Sequence, residues 1–458
     1  MTAVAELDDE LSPIERLRDL LDAGDDDGLR AFLDEFAHGS DLADLLEELD
    51  EDDRVRVLAV LAPEDPALAA EALAEMEPDE HPEESLAALH PDQIAAVVAE
   101  LSDDDAADMI GELDPEDRDR VLAALPHEDA GDIRDLMAYD EESAGGIMTA
   151  ELVVVPAELT AAQAIDEVRR QAHEVEEFYG VVFVVDSSHV LLGTVSLQAL
   201  VTSAPETPLL ELREEPIAVV LPETDQEEVG RVVSKYNLTI VPVVDSGGRL
   251  LGGVTFDDVI DVIEAETTED ILKFVGVSGE EELKGGWRDA VRSRLPWLLV
   301  NLCTASAGAM VVWLFEPAIR ELTFLAVLMP VVAGLGGNSG TQALAVTIRR
   351  LALSRETTGQ RWSIVGKEFL VGLGNGLVIG LIVSVVAALL EGDARVGFVV
   401  MLAMWMNLTV GSFAGAFVPT VLERLKVDPA VASSIFVTAF TDMCGFFLLL
   451  GLATRFLL

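Results

Sequence analysis

The stretch from Val431 to Phe456 (VASSIFVTAFTDMCGFFLLLGLATRF) sets the tightest bound on what this chain can fold into. A hydrocarbon core about 30 Å thick needs roughly 20 apolar residues, and this stretch supplies them. Near its middle sits Asp442, flanked at a distance by Asp428 and Arg455. An ionised carboxylate at that depth costs on the order of 3 kcal/mol even on lenient insertion scales, so it needs a partner or water. No Lys, Arg or His stands at membrane depth in the other apolar stretches. A passing cation is the partner these residues favour. The structural alternative is a protonated Asp hydrogen-bonded between helices.

Four further stretches precede it: Trp297–Phe315, Leu322–Ile348, Ile364–Leu390 and Phe398–Leu422. Bases gather before the first (Lys284, Arg288, Arg292, Arg294), between the second and third (Arg349, Arg350, Arg355, Arg361, Lys367) and between the fourth and fifth (Arg424, Lys426). The other two loops hold only Arg320 and Arg395, offset by Glu316, Glu321, Glu391 and Asp393. The positive-inside rule therefore predicts a multi-pass cell-membrane protein with cytoplasmic N-terminal domains and the C-terminus outside. The second span carries Pro330 and the run GLGGNSGTQ, which predicts a loosened helix lined by Asn338, Thr341 and Gln342; close packing through glycine is the alternative. Asn338 and Asp442 on one cavity would offer oxygen ligands alone, which suits Mg²⁺ or Ca²⁺ rather than zinc or copper.

Charge is segregated. Of 84 acids and 29 bases, 75 and 19 precede Trp297, so the front carries about −56 of the −55 total and the rear about +1. Such a surface repels nucleic acid. Scarce Lys and abundant Asp and Glu also suit a halophilic cytoplasm, where molar salt shrinks the Debye length to about 3 Å. The acidic start, MTAVAELDDE, has no apolar core and predicts no cleaved signal peptide. Cys303 and Cys444 lack metal-ligand spacing and are expected as buried small hydrophobes.

Residues 1–139 repeat amphipathic phrases such as LADLLEELDEDDRVRVLAVL and predict an acidic helical N-domain or superhelix. Across 140–257 the chain duplicates itself: GVVFVVDSSHVLLGTVSLQALV is answered by TIVPVVDSGGRLLGGVTFDDVI. Helices at Ala161–Ala172 and Asp225–Tyr236 precede the two copies. These units resemble a tandem CBS pair, which implies a β-α-β-β-α fold in each copy. Such pairs often hold adenine nucleotides, so ATP at Thr255 and Asp258 is a further expectation. A connecting helix from Asp257 to about Val277 (DDVIDVIEAETTEDILKFVGV) and a basic pre-membrane segment occupy 258–296, and the spans fill 297–458.

The order of acidic helical domain, CBS pair, acidic connecting helix and five spans resembles the MgtE family of magnesium channels. The motifs RLPWLLVNLCTA, PVVAGLGGNSGTQALAVTIRRLAL, FVTAFTDMCGFFLLLGLA and PETDQEEVGRVVSKYNLTIVPVVD carry the likeness. It implies a homodimer whose pore lies on the two-fold axis, in membrane lipid, with Asp442, Asn338, Gly334, Gly337 and the Thr438 carbonyl lining it. It implies Mg²⁺ as both substrate and regulator, with regulatory ions at Asp104, Asp108, Asp225, Glu227, Asp258, Glu266, Glu269, Asp270 and Asp428. Where the family can carry an Asp, this chain has Asn237, one charge fewer. A channel for Co²⁺, Mn²⁺ or Ca²⁺, and a CBS-based membrane nucleotide sensor, are the rival readings. An enzyme is not expected: no His-Glu-x-x-His occurs, and an intramembrane aspartyl protease needs two buried Asp on one chain.

Overall fold

Aspartates, serines and prolines punctuate the front of the chain, and each starts a helix. A computed structural model describes residues 12–127, 129–171, 178–277, 286–353, 358–425, 428 and 434–458. Lys284, Arg355, Lys426, the expected start of the fifth span at Val431 and the N-terminal run MTAVAELDDE lie outside these residues. Two units result, Met1–Ala265 and Glu266–Leu458.

Ten short helices open the first unit: α1 (Pro13–Ala23), α2 (Asp26–Leu33), α3 (Gly39–Glu47), α4 (Glu51–Leu61), α5 (Pro66–Ala74), α6 (Pro82–Ala87), α7 (Pro91–Val98), α8 (Asp103–Glu112), α9 (Pro115–Ala124) and α10 (Asp129–Leu136). The side chains of Ser12, Asp25, Asp50, Asp65 and Ser102 accept from backbone N–H groups at the starts of α1, α2, α4, α5 and α8. Proline opens α1, α5, α6, α7 and α9, where its missing N–H would have had no helical partner anyway. Part of the acid excess is thus capping chemistry. Inward-facing Leu17, Leu42, Leu46, Leu58, Leu73, Leu86 and Ile110 are completely buried and form the core.

The CBS copies follow. In the first, β1 (Val154–Pro156) pairs parallel with β2 (Val181–Val185), which pairs antiparallel with β3 (Leu191–Ser196); α11 (Ala161–Gln171), α12 (Leu197–Thr202) and α13 (Leu209–Leu212) complete it. The second has α14 (Gln226–Tyr236) and the antiparallel pair β4 (Ile240–Val244) and β5 (Leu250–Thr255), with a single parallel bridge, Val220 to Val243, in place of the edge strand. The copies join turn to turn through Leu191 N–H to Gly248 carbonyl and Leu250 N–H to His189 carbonyl. Phe183, Val185, Val244 and Leu250 share one apolar cluster beneath that joint. Helix α15 (Phe256–Val275) then runs out of the first unit into the second.

Five helices of the second unit are long and apolar enough to cross a membrane: Ala290–Leu314, Phe324–Leu351, Trp362–Glu391, Ala394–Arg424 and Ser434–Phe456. They belong to α16 (Trp287–Leu314), α18 (Phe324–Leu353), α19 (Thr358–Glu391), α20 (Ala394–Arg424) and α21 (Ser434–Phe456); α17 (Glu316–Glu321) is a short link. α20 is the most buried of the five and packs against α18, α19 and α21. Two expectations are corrected. The loosened second span is a continuous helix: Pro330, the seventh residue of α18, removes one donor near the N-terminal end without breaking the ladder. Cys303 is exposed and Cys444 half-buried rather than buried; for Cys303 the reason is that most of the apolar stretch of α16 has no neighbour among the described residues.

Candidate functional site

Small residues bring α18, α20 and α21 together. A Cβ on Gly336 would stand 2.1 Å from Asn407 Nδ2, one on Gly340 2.6 Å from Val437, and one on Gly415 2.1 Å from the Gly340 carbonyl. These contacts are closer than any side chain allows, so glycine is obligatory there. Gly336 shares Asn407 with Gly445 while Gly340 meets Val437, so α18 and α21 run antiparallel. Asn407, fully buried, donates to the Val332 carbonyl at 2.9 Å and leaves its Oδ1 without a partner. Ser339 and Ser412 share a hydrogen bond of 2.8 Å nearby. Of the glycines expected on the path, Gly337 is buried against Thr438, at 3.3 Å from a built Cβ, whereas Gly334 faces open space.

Asn338 lies one turn after Gly334 on that same open face of α18. Asp442 sits half-buried in the middle of α21 and, among the described residues, makes no hydrogen bond or ion pair. The hydrogen-bonded alternative for Asp442 therefore finds no partner among the described residues. The Thr438 carbonyl, expected on the path, accepts the Thr441 hydroxyl at 2.8 Å. What α18 and α21 present is a carboxylate, an amide and open backbone at membrane depth, all hard oxygen chemistry.

A second constellation forms in the first unit, where α8 meets the start of α15. Asp104 is buried and its Oδ1 has no hydrogen-bond partner. Burial first, then Asp258 and Asp105, pushes its carboxyl well above the usual carboxylate range. Burial, Asp105, Glu141, Glu112 and Asp258 push Asp108 up to about 7, although the solvent that reaches this side chain screens part of the repulsion. Asp258 is pushed up to about 6, chiefly by burial and by Asp257 and Asp105 against the relief of its Thr255 hydrogen bond. Asp105 and Asp261 are raised for the same reasons. An array of like charges with no base among these causes is a vacancy for positive charge. Among the described residues no three acids, His or Cys already converge as a metal cage.

Of the regulatory residues expected from the sequence, Asp104, Asp108 and Asp258 are brought together here. Asp225 caps α14 by accepting from the Glu227 N–H at 2.9 Å, and Glu227 pairs with Arg231 at 2.6 Å. Glu266, Glu269 and Asp270 lie half-buried along the second half of α15. Lys273 pairs with Glu269 and, at 3.1 Å, with Asp428. Partial burial lowers the pKa of that ammonium, and the two carboxylates outweigh it, leaving a net rise. Asp105, Asp257, Asp261 and Glu141 escaped the sequence reading, because nothing in their spacing tells a clustered acid from a solvated one. Asn407 was missed too, yet a lone amide inside VVMLAMWMNLTVGSF is the same kind of signal as Asp442.

The Thr255 hydroxyl donates to Asp258, so the two residues expected at a nucleotide are joined to each other. Beside them Asn237 takes a left-handed conformation, φ 50°, that ends α14. With Leu238, Thr239, Phe256 and Ile260 it lines a cleft of about 340 Å³.

Comparison with known proteins places these features. Residues 329–452 match the MgtE divalent cation transporter family, 37–142 the MgtE intracellular N domain, and 144–206 and 210–265 the CBS domain. The magnesium transporter MgtE of Thermus thermophilus is 35% identical over 444 residues, covering 95% of this chain and 97% of that protein. That of Enterococcus faecalis is 35% identical over 329 residues, 72% of each. A solved cytosolic domain of the Mg²⁺ channel MgtE in complex with ATP superposes with a TM-score of 0.50 at 36% identity, covering 54% of this chain and 99% of that one. From the N-domain through the CBS pair to the glycine-packed spans, the chain belongs to the MgtE family of magnesium transporters.

Proposed function

We propose that this protein is a Mg²⁺ channel that imports the ion down its electrochemical gradient and is closed by cytosolic Mg²⁺. The observation that carries the path is Asp442, a carboxylate at membrane depth without a protein counter-charge among the described residues. Gly334 and Asn338 face outward from the single chain, so a two-fold dimer that sets two such faces around one axis would cover them and form the pore. A hydrated ion there would meet Asp442 and Asn338 through its waters, and Gly337 would keep α21 close. A divalent ion entering at about −100 mV gains about 4.6 kcal/mol, so no chemical step is needed.

Regulation would rest on Asp104, Asp105, Asp108 and Asp258. Without Mg²⁺ their repulsion loosens the cytosolic unit and frees the first half of α15. With Mg²⁺ the cluster is bridged and the path shuts, each ion contributing only its preference for the closed state. In this reading the N-terminal unit is cytoplasmic and the C-terminus outside, which the distribution of bases supports. The cleft at Asn237 and Phe256 is the place we assign to an adenine nucleotide, because the solved cytosolic domain of a relative holds ATP.

The test is direct. Reconstituted in liposomes with an internal Mg²⁺ dye, the protein should pass Mg²⁺, and Asp442→Asn should stop it while leaving the dimer intact by size exclusion. Unchanged flux through Asp442→Asn removes the pore assignment. Competition by Co²⁺, Mn²⁺ and Ca²⁺ in the same assay ranks the alternative cargoes.

A further inference from the structure

The last turn of α15 is seated by the chain's own side chains. Phe274 packs against Leu344 and Val437, and Gly276, with φ +78°, turns the chain so closely that a Cβ would lie 2.4 Å from Ile435. Between these contacts Lys273 extends its ammonium to Glu269, one turn back, and to Asp428 Oδ2 at 3.1 Å; its side chain is one-quarter exposed. The position is favourable for a cation on two further counts. It lies at a helix C-terminus, where carbonyl dipoles attract positive charge, and the Glu-to-Lys order over four residues is the better orientation.

We propose that Lys273 is a tethered cation standing between Glu269 and Asp428, which docks the membrane-side end of α15 at any Mg²⁺ concentration. The inference rests on the reading that α15 gates the path, and it deepens that reading by dividing the helix in two. A divalent ion seeking Glu269 and Asp428 must displace an ammonium whose local concentration is fixed by its tether, at millimolar or above. Magnesium at millimolar level competes poorly there. At the other end of α15, burial and neighbouring acids around Asp104 and Asp258 leave the demand for positive charge unmet. Mg²⁺ sensing therefore belongs to the first half of α15, and the second half is a standing anchor.

Replacing Lys273 with Met keeps the aliphatic stem and removes the ammonium that stands between Glu269 and Asp428. Mn²⁺ serves as the probe, counted by electron paramagnetic resonance on the full-length protein in detergent. Lys273→Met should bind one more Mn²⁺ per chain than wild type, and Lys273→Arg, which keeps the charge, should bind the wild-type number. An unchanged Mn²⁺ count in Lys273→Met, or an equal gain in Lys273→Arg, overturns the proposal. Should Lys273→Met fail to reach the membrane, Lys273→Gln gives the same count. Wild-type liposomes that pass no Mg²⁺ would defeat the transport reading, while the Mn²⁺ count would still read the tether.

Discussion

Asn407 donates its side-chain amide to the Val332 carbonyl at 2.9 Å while its own oxygen stays buried and unpaired. The amide is wedged between Gly336 on α18 and Gly445 on α21, so three helices meet on one polar side chain. Gly336→Ala would place a methyl 2.1 Å from Asn407 Nδ2, and the helices must part or Asn407 must move. Overpacking of this kind costs roughly 1–3 kcal/mol, and loss of the Val332 bond adds to it. Thermal unfolding of detergent-solubilised Gly336→Ala should fall by several degrees. Gly334→Ala, which meets open space, should unfold with wild type.

Removing the charge of Asp442 should abolish flux without loosening the fold. Its side chain makes no protein hydrogen bond or ion pair among the described residues, so Asp442→Asn forfeits no contact in one chain. Melting temperature should be unchanged or slightly higher, since an ionised carboxylate at depth is costly. A marked drop in melting temperature together with lost flux would mean that Asp442 is a packing residue.

In the N-domain, Arg54 is a buried charge that ties together the helices around it. Its guanidinium pairs with Glu80 at 2.7 Å and donates to the carbonyls of Glu80, at 2.5 Å, and Leu46, at 3.2 Å, with both side chains nearly sealed from solvent. Taking away one partner of such a pair costs on the order of 3–5 kcal/mol, because the other charge is left in low dielectric. Arg54→Ala should therefore unfold the N-domain at markedly lower urea, read by cleavage with a glutamate-specific protease between α4 and α7, where Glu64, Glu71 and Glu75 stand. A wild-type cleavage profile would refute the assignment. Exposed pairs such as Arg169 with Asp166 should be near-silent in the same assay.

The sequence makes architecture legible where a period repeats, and geometry illegible where single residues decide it. The five spans, the two CBS copies and α15 fall within a few residues of their expected places because hydropathy and duplication act over twenty residues at a time. Trp297, expected to open the first span, instead lies ten residues inside α16, since the basic turn before it continues the helix. The glycine run of α18 misled for the opposite reason. Glycine signals either a loosened backbone or a close neighbour, and only the positions of Asn407, Val437 and Gly415 decide for the neighbour. Acidity hid the Asp104 cluster from spacing alone: among 84 acids, the meeting of Asp104 and Asp258, which only the family resemblance suggested, depends on where α8 packs.

That meeting predicts a pH dependence with a definite sign. Asp108 and Asp258 are pushed to about 7 and about 6, and Asp104 and Asp105 are also raised. Their values in the unfolded chain are near the ordinary Asp value of about 4. Between that value and about 7 the folded cluster holds more protons than the unfolded chain, so ion-free stability falls as pH rises through this window. Mg²⁺ binds the deprotonated carboxylates and expels those protons, so its stabilising effect grows over the same window. Limited proteolysis of the full-length protein should thus show strong Mg²⁺ protection at about pH 8 and little at about pH 5.5, where the acids are protonated and the ion-free form is already tight. Asp104→Asn should resist protease better than wild type at the higher pH without Mg²⁺ and gain less when Mg²⁺ is added. Protection by Mg²⁺ that is equal at both pH values would place the sensing ions elsewhere.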